Sequence, residues 1–448
     1  MSRNTEAQVG EQKETACLGI ARRSFLGQLA GVPVAAAGLA QAGGMPPTQQ
    51  GATPGPQPKA PSGGAKSGAI GRTQRVDGEV KEYRDPETGA RVMQLTGDGS
   101  DNVHLYFTSE SFLAGGAERV VFGSNRSGRV QYYLLEIRER RLVQITDASD
   151  INGAQRACLA PSGQLFYFDG PVLHSVKVDT QASRELYRVP NGFTPHLATC
   201  TANGEYVAFA YGETLDVSTA SERIYSTMAE TYFQHPSCVI MRVKTSDGQP
   251  VAAWGEHMHI SHVLIHPRQP DLILFCYEGG NLATQRMWTV NLAVQRNRKA
   301  EPLYPQNPKE YCVHEYWTGT GDVGFQYELD REGHREYYNC FVRPDGTWIR
   351  QYLLPGPRPG HIQSNSTNTL VVGDCGYLSP DDRDGQNYMS LMTHPNGMVN
   401  VRRLCRRRPG ETEASHGHPV FSPDDRWVLF NSRIGDRDNI FMADVQSI

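Results

Sequence analysis

From about residue 76 onward, apolar and polar residues alternate in short runs separated by tight turns. One unit recurs: a turn of the type x-P-D/S-G, an apolar run of five or six, a polar turn, a second run ending in a charged residue, then a third. The clearest copy is Phe421-Ser422-Pro423-Asp424-Asp425, followed by RWVLFNS and then NIFMADV. Related units begin near Ala117 (ERVVFGS), Ala160 (PSGQLFYF), Ala202 (NGEYVAFA), His266 (PRQPDLILFCY), Gly319 (GDVGFQYEL) and Ser366 (NTLVVGDCG), seven in all. Period-two alternation with β-branched enrichment indicates strands, and no stretch after residue 75 keeps a 3.6-residue period. A multi-strand unit repeated about every 40 to 50 residues cannot bury its faces alone and stacks on its neighbours. The expected fold is therefore all-β, a seven-bladed β-propeller over residues 76–448. The last unit stops part-way through a blade, and VKEYRDPETGARVMQLT (80–96) reads as a leftover strand that would complete it and close the ring. A sandwich with insertions and an eight-bladed ring are the competing all-β readings.

The first 75 residues have a different character. Ala21-Arg22-Arg23-Ser24-Phe25-Leu26-Gly27 precedes an Ala-rich apolar run ending in Ala40-Gln41-Ala42. This reads as a twin-arginine signal peptide over 1–42, implying export to the periplasm or beyond the cell. The run is too short to be a stable membrane span. Residues 43–75 are rich in Pro, Gly and Ser and read as a flexible linker.

Across 448 residues the net charge is −4, which argues against nucleic acid as a partner. There is no P-loop, GxSxG or CxxC pattern, so nucleotide binding of the P-loop type and serine-hydrolase chemistry have no support. Apart from Cys17, the eight cysteines are widely spread and read mostly as small buried strand residues, with a few disulfides as the alternative.

Histidines carry the strongest chemical signal. Of fourteen, His257, His259, His262 and His266 are clustered, His314 lies in Val-His-Glu-Tyr-Trp, and His416 and His418 follow Glu413 in Glu-Ala-Ser-His-Gly-His-Pro. Two histidines two apart on a strand share a face and can reach one ion. Glu413 could add an oxygen, and such a mixed set suits a divalent ion such as Mn²⁺, with Zn²⁺, Fe²⁺ or Ni²⁺ also open.

Residues 78–448 resemble the oligogalacturonate lyases. The matching segments occur in family order: DPETGARVMQLT, YYLLEI, HPSC, the His262 region with FCYEGG and RMW, VHEYW, HIQSN with VVGDCG, and SHGHPVFSPDDRWVLFNS. The resemblance implies cleavage of oligogalacturonides by metal-assisted β-elimination, with Mn²⁺ held by three histidines and a glutamine. Carried over by motif, the ligands are His314, His416 and His418, with Glu413 in the glutamine's place. Gly417 stands where the family has proline, which is expected to loosen the turn. His262, in Ile-Ser-His-Val-Leu-Ile-His-Pro, aligns with the family's catalytic histidine, and His259 is the second choice for base or substrate contact. Arg286, in Gln-Arg-Met-Trp, is the expected grip for a uronate carboxylate. His104, Tyr106, His361, Asn365 and Asp374 are expected subsite residues, and Tyr277 replaces a family histidine. The competing readings are a non-catalytic exported propeller of the TolB type and a lyase for another uronate oligosaccharide.

Overall fold

Each predicted repeat folds into an antiparallel sheet whose strands follow one another in chain order. The computed structural model describes residues 70–217, 227–410 and 416–448; the signal-peptide segment, most of the linker and Glu413 lie outside the described residues. Seven sheets form, giving a seven-bladed β-propeller. We number the blades by their first strands: Asn102–His104, Cys158–Ala160, Phe193–Cys200, Ile260–Ile265, Glu310–Trp317, Ile362–Ser364 and Val420–Phe421. Several of these first strands pack against that of the next blade around the propeller axis.

The cores between blades follow from the repeat itself. Six of the seven second strands place a phenylalanine in the sheet-to-sheet interface: Phe122, Phe166, Phe209, Phe275, Phe325 and Phe430, each at most 1% exposed. Blade 6 uses Val372 instead, also fully buried. Burial of each ring contributes roughly 2–3 kcal/mol, so the interfaces are comparable in strength around most of the ring.

Closure uses the segment expected to do so, as a hairpin rather than a single strand. Arg91–Gln94 pairs with the last long strand, Arg437–Asp444, through Val92↔Ala443 and Gln94↔Phe441, and Lys81–Arg84 pairs outside it. Blade 7 is thus built from both ends of the propeller. One further strand, Thr73–Arg75, adds a fifth member to blade 1 by pairing with Arg141–Gln144, inside the tract read as linker. A seven-residue helix, Met228–Gln234, interrupts blade 3. It buries none of its residues, so it has no apolar stripe that a periodicity reading could detect.

The eight described cysteines are free, seven of them buried, as expected of small strand residues. Among the described residues no helix is long and apolar enough to cross a membrane.

Candidate functional site

Three consecutive blades interrupt the ladder between their first and second strands. The register slips between Pro195 and Ala198, between Ile260 and Val263, and between Val313 and Tyr316. A bulge breaks the strict alternation of faces and re-aims side chains. Each interruption contains a histidine: His196, His262 and His314. At His314 the backbone is left-handed, with φ 57°. Holding a non-glycine residue there costs on the order of 1 kcal/mol or more and persists where the surroundings fix it.

On the two following blades, three more histidines converge ahead of the first strands. His361, His416 and His418 each offer a ligand atom within 4.8 Å of the others. His416 and His418 sit in a turn, not on a strand, with His418 at φ 43°. The histidine that completes this group is His361 rather than His314, whose ring stands beside it at 4.3 Å between centroids.

The group is held from behind. The Asp374 carboxylate accepts the His361 backbone N–H at 2.9 Å and lies 3.1 Å from His361 Nδ1. Burial alone would raise the Asp374 pKa, but the bond to His361 and its charge hold it well below the usual carboxylate range. Gln155 Nε2 lies 2.7 Å from His418 Nδ1, and the Asn431 backbone N–H donates to Gly417 O at 2.9 Å. Gly417 does not loosen this turn: a Cβ there would meet the Asp374 Cβ at 2.5 Å, so the glycine permits a close approach. Three imidazoles converging from two blades, one of them backed by a carboxylate, form a donor set that fits a divalent transition-metal ion.

His314 is fixed in one tautomer. Gln326, fully buried on the neighbouring strand, donates its Nε2–H to Pro359 O at 2.9 Å, so its Oε1 faces His314 Nδ1 at 3.0 Å as an acceptor. His314 therefore carries its proton on Nδ1 and leaves the Nε2 lone pair bare. Burial, reinforced by His361 and Arg358, pushes its pKa well below 6.5.

His262 is held in the opposite state. Its Nδ1 lies 3.2 Å from Glu315 Oε1. Burial opposes the charged form, but Cys276 and Glu315 overcome it and raise the pKa well above 6.5. Of the two, Glu315 carries the negative charge, because burial pushes the Cys276 thiol up and keeps it neutral. Arg286 is only 3% exposed and is clasped by two carboxylates, with Nε 2.9 Å from Glu315 Oε2 and Nη1 3.1 Å from Glu278 Oε1. Its guanidinium is committed to the protein rather than presented to a substrate. Tyr106 stands among these groups, its ring 5.6 Å from His262, 6.0 Å from His361 and 4.9 Å from His418.

Other expected residues lie apart. His104 is fully buried, its Nε2 3.4 Å from Gly417 O, and burial lowers its pKa to about 4, so it supports the His416–His418 turn from below. His259 packs its ring 5.7 Å from His196 and lines a separate cavity of about 190 Å³ with Thr194 and His196. Asn365 follows the first strand of blade 6 whereas His361 precedes it, roughly 13 Å along the strand. Its amide is engaged by Thr369, Leu370 and Thr367 in a turn. Tyr277 donates its hydroxyl to Glu256 Oε1 at 2.7 Å.

Sequence reasoning did not single out Glu315, Glu278, Gln326, Gln155 or His196. Glu315 and Glu278 stand within the motifs VHEYW and FCYEGG. Gln326 and Gln155 carry no local signal, because strand pairing and blade adjacency alone bring them in.

A family profile described as oligogalacturonate lyase matches residues 70–448. The oligogalacturonate lyase of Dickeya dadantii (strain 3937) is 26% identical over 377 residues, covering 81% of this chain and 95% of that protein. The oligogalacturonide lyase of Pectobacterium atrosepticum is 25% identical over the same shares. Among solved structures, an oligogalacturonate lyase in complex with manganese superimposes with a TM-score of 0.73 at 24% identity, over 84% of this chain and 97% of that one. An oligogalacturonate lyase from Vibrio parahaemolyticus also gives 0.73, at 20% identity, over 84% of this chain and 99% of that one. These structural likenesses establish the shared fold, and the profile match over the whole propeller establishes the lineage: the chain belongs to the oligogalacturonate lyase family.

Proposed function

We propose that this protein cleaves oligogalacturonides by metal-assisted β-elimination, leaving a 4,5-unsaturated uronate. The observation that carries the reading is the convergence of His361, His416 and His418 within 4.8 Å beside a neutral, tautomer-fixed His314. The C5 proton of a uronate lies α to the C6 carboxylate, whose negative charge opposes carbanion formation, so that charge must be neutralised before the proton can leave. A divalent ion held by the three histidines, Mn²⁺ on the precedent of the manganese-bound relative, would supply that Lewis-acid chemistry. Glu413 remains a candidate for a fourth ligand.

The chain's own residues supply the rest. His314 Nε2 accepts the C5 proton as the C–H bond breaks; the electron pair forms the C4–C5 double bond, and the C4–O4 bond breaks with its electrons leaving on the oxygen, which takes a proton from water. Gln326 keeps the accepting nitrogen bare by holding the other proton on Nδ1. His262, the base expected from sequence, is better suited to stabilising negative charge, because its contact with Glu315 favours the protonated ring. Arg286 acts as a positioning residue that holds Glu315 and Glu278 in place. The export reading of residues 1–42 accompanies this assignment: changing Arg22 and Arg23 to Lys should leave the protein in the cytoplasm.

Ultraviolet absorbance of unsaturated uronate provides the test, with trigalacturonate as substrate and with or without EDTA. A chelator-sensitive rise, lost in His314→Ala, is expected. Full activity in His314→Ala with loss in His262→Ala would return the base to His262. Binding of trigalacturonate without any turnover would instead identify a binding platform, and turnover of a different uronate alone would change the substrate.

A further inference from the structure

We propose that Arg156 is a specificity residue that binds the carboxylate of a uronate adjoining the sugar at the three-histidine group. The inference rests on the function proposed above and names a part of the site that neither the motifs nor the relatives assign.

Ala154–Arg156 forms a single 3₁₀ turn between blades 1 and 2, and it packs on the first strands of blades 1 and 3. It is seated tightly: a Cβ on Gly123 would fall 2.4 Å from the Ala154 Cβ. From this turn Gln155 reaches His418 Nδ1 at 2.7 Å, while Arg156 Nη1 donates to Pro195 O at 3.4 Å on the blade 3 side. The neighbours of Pro195, Thr194 and His196, line the cavity that His259 shares. Arg156 therefore stands between the histidine group and an open cavity, where a second sugar of a bound chain would lie.

Arg286 is clasped by Glu278 and Glu315, and Arg358 faces Glu328 at 3.8 Å. Arg156 has no carboxylate within ion-pair distance among the described residues, and its one hydrogen bond, to Pro195 O, leaves the remaining guanidinium N–H donors unused. The side chain is open to solvent, yet enough protein surrounds it that desolvation lowers its pKa. An exposed guanidinium without a counter-charge is available to an arriving anion. A planar guanidinium fork matches a carboxylate through two parallel hydrogen bonds, which a neutral or esterified sugar cannot form.

The test is calorimetric binding of trigalacturonate and of its methyl ester, made in a His314→Ala background so that the ligand is not consumed. The parent should bind the acid more tightly than the ester. Arg156→Gln should weaken the acid by about 10-fold or more and erase the difference between the two ligands, with Arg156→Lys recovering only part. In the active background Arg156→Gln should raise KM by a similar factor while kcat changes by less than about threefold. Equal trigalacturonate affinity in Arg156→Gln and parent overturns the subsite while leaving the lyase reading intact. A parent that binds neither ligand, and a wild type that turns over neither, overturns both.

Discussion

Gly417 and Asp374 approach so closely that a single methyl group on the glycine would stand 2.5 Å from the Asp374 Cβ. Asp374 in turn holds the His361 ring and backbone, so the turn carrying His416 and His418 and the histidine of the adjacent blade share one contact. Gly417→Ala should therefore separate the two halves of the donor set. The expected outcome is a loss of about 1–3 kcal/mol in stability and a roughly 10- to 100-fold fall in Mn²⁺ affinity, read by denaturation and by metal titration. Unchanged metal affinity would mean that the three histidines do not act as one site.

The pairing of His314 with Gln326 predicts a different kind of defect. Gln326→Leu keeps the shape of the buried side chain but removes the acceptor that holds the proton on Nδ1. The bare lone pair is then no longer reserved for Nε2, and kcat should drop by about 100-fold, within the range that general-base catalysis contributes. KM should move little, since Gln326 is fully buried and touches no sugar. A purely structural role would lower thermal stability in proportion and leave kcat of the folded fraction intact.

Arg286 separates a substrate grip from a positioning role. The pair with Glu315 is almost completely enclosed, at 3% and 0% side-chain exposure. Replacing Arg286 by Met strands the Glu315 and Glu278 carboxylates, and breaking such a buried pair costs about 3–5 kcal/mol. Denaturant unfolding should show that loss, together with a lower His262 pKa by NMR if the stranded Glu315 takes up a proton. A rise in KM with stability unchanged would restore the grip expected from the sequence.

The fold was legible because six units carry an apolar run with a buried phenylalanine, in VVF, LFYF, VAF, LILF, VGF and VLF, which wedges between stacked sheets. Closure was legible as an orphan segment, although its division into two strands depends on the turn that DPETG forms between them. The His416–His418 pair was legible as neighbours, although a turn brings them together and not the strand that their spacing suggests. Its third partner was not: His314 and His361 both stood in recognisable motifs, and only the order of blades shows that His361 joins the pair while His314 turns to Gln326. The states of His262 and His314 were beyond a sequence reading for the same reason, since each is set by a neighbour whose position is a property of the folded sheet or of the bulge that breaks it.

The junction between blades 6 and 7 should be sensitive to acid. Asp85, in the closing hairpin, accepts the backbone N–H of Arg406 from blade 6 at 2.8 Å and those of Glu87 and Thr88 at 3.0 and 2.9 Å. Burial alone would raise its pKa, but these N–H groups outweigh burial and hold it below 3.8. A carboxylate whose folded pKa lies below its unfolded value contributes stability that is fully present above the unfolded pKa, near 4, and is lost as the pH falls through the folded one. The ring closure should therefore weaken below about pH 4. Asp85→Asn keeps an acceptor for the local turn but presents an N–H to the Arg406 N–H, so at neutral pH it should cost on the order of 1–3 kcal/mol. Melting temperatures measured across pH should show the variant less stable at pH 7 and the gap closing below pH 4. A gap that stays constant with pH would mean that Asp85 acts through shape alone and not through its charge.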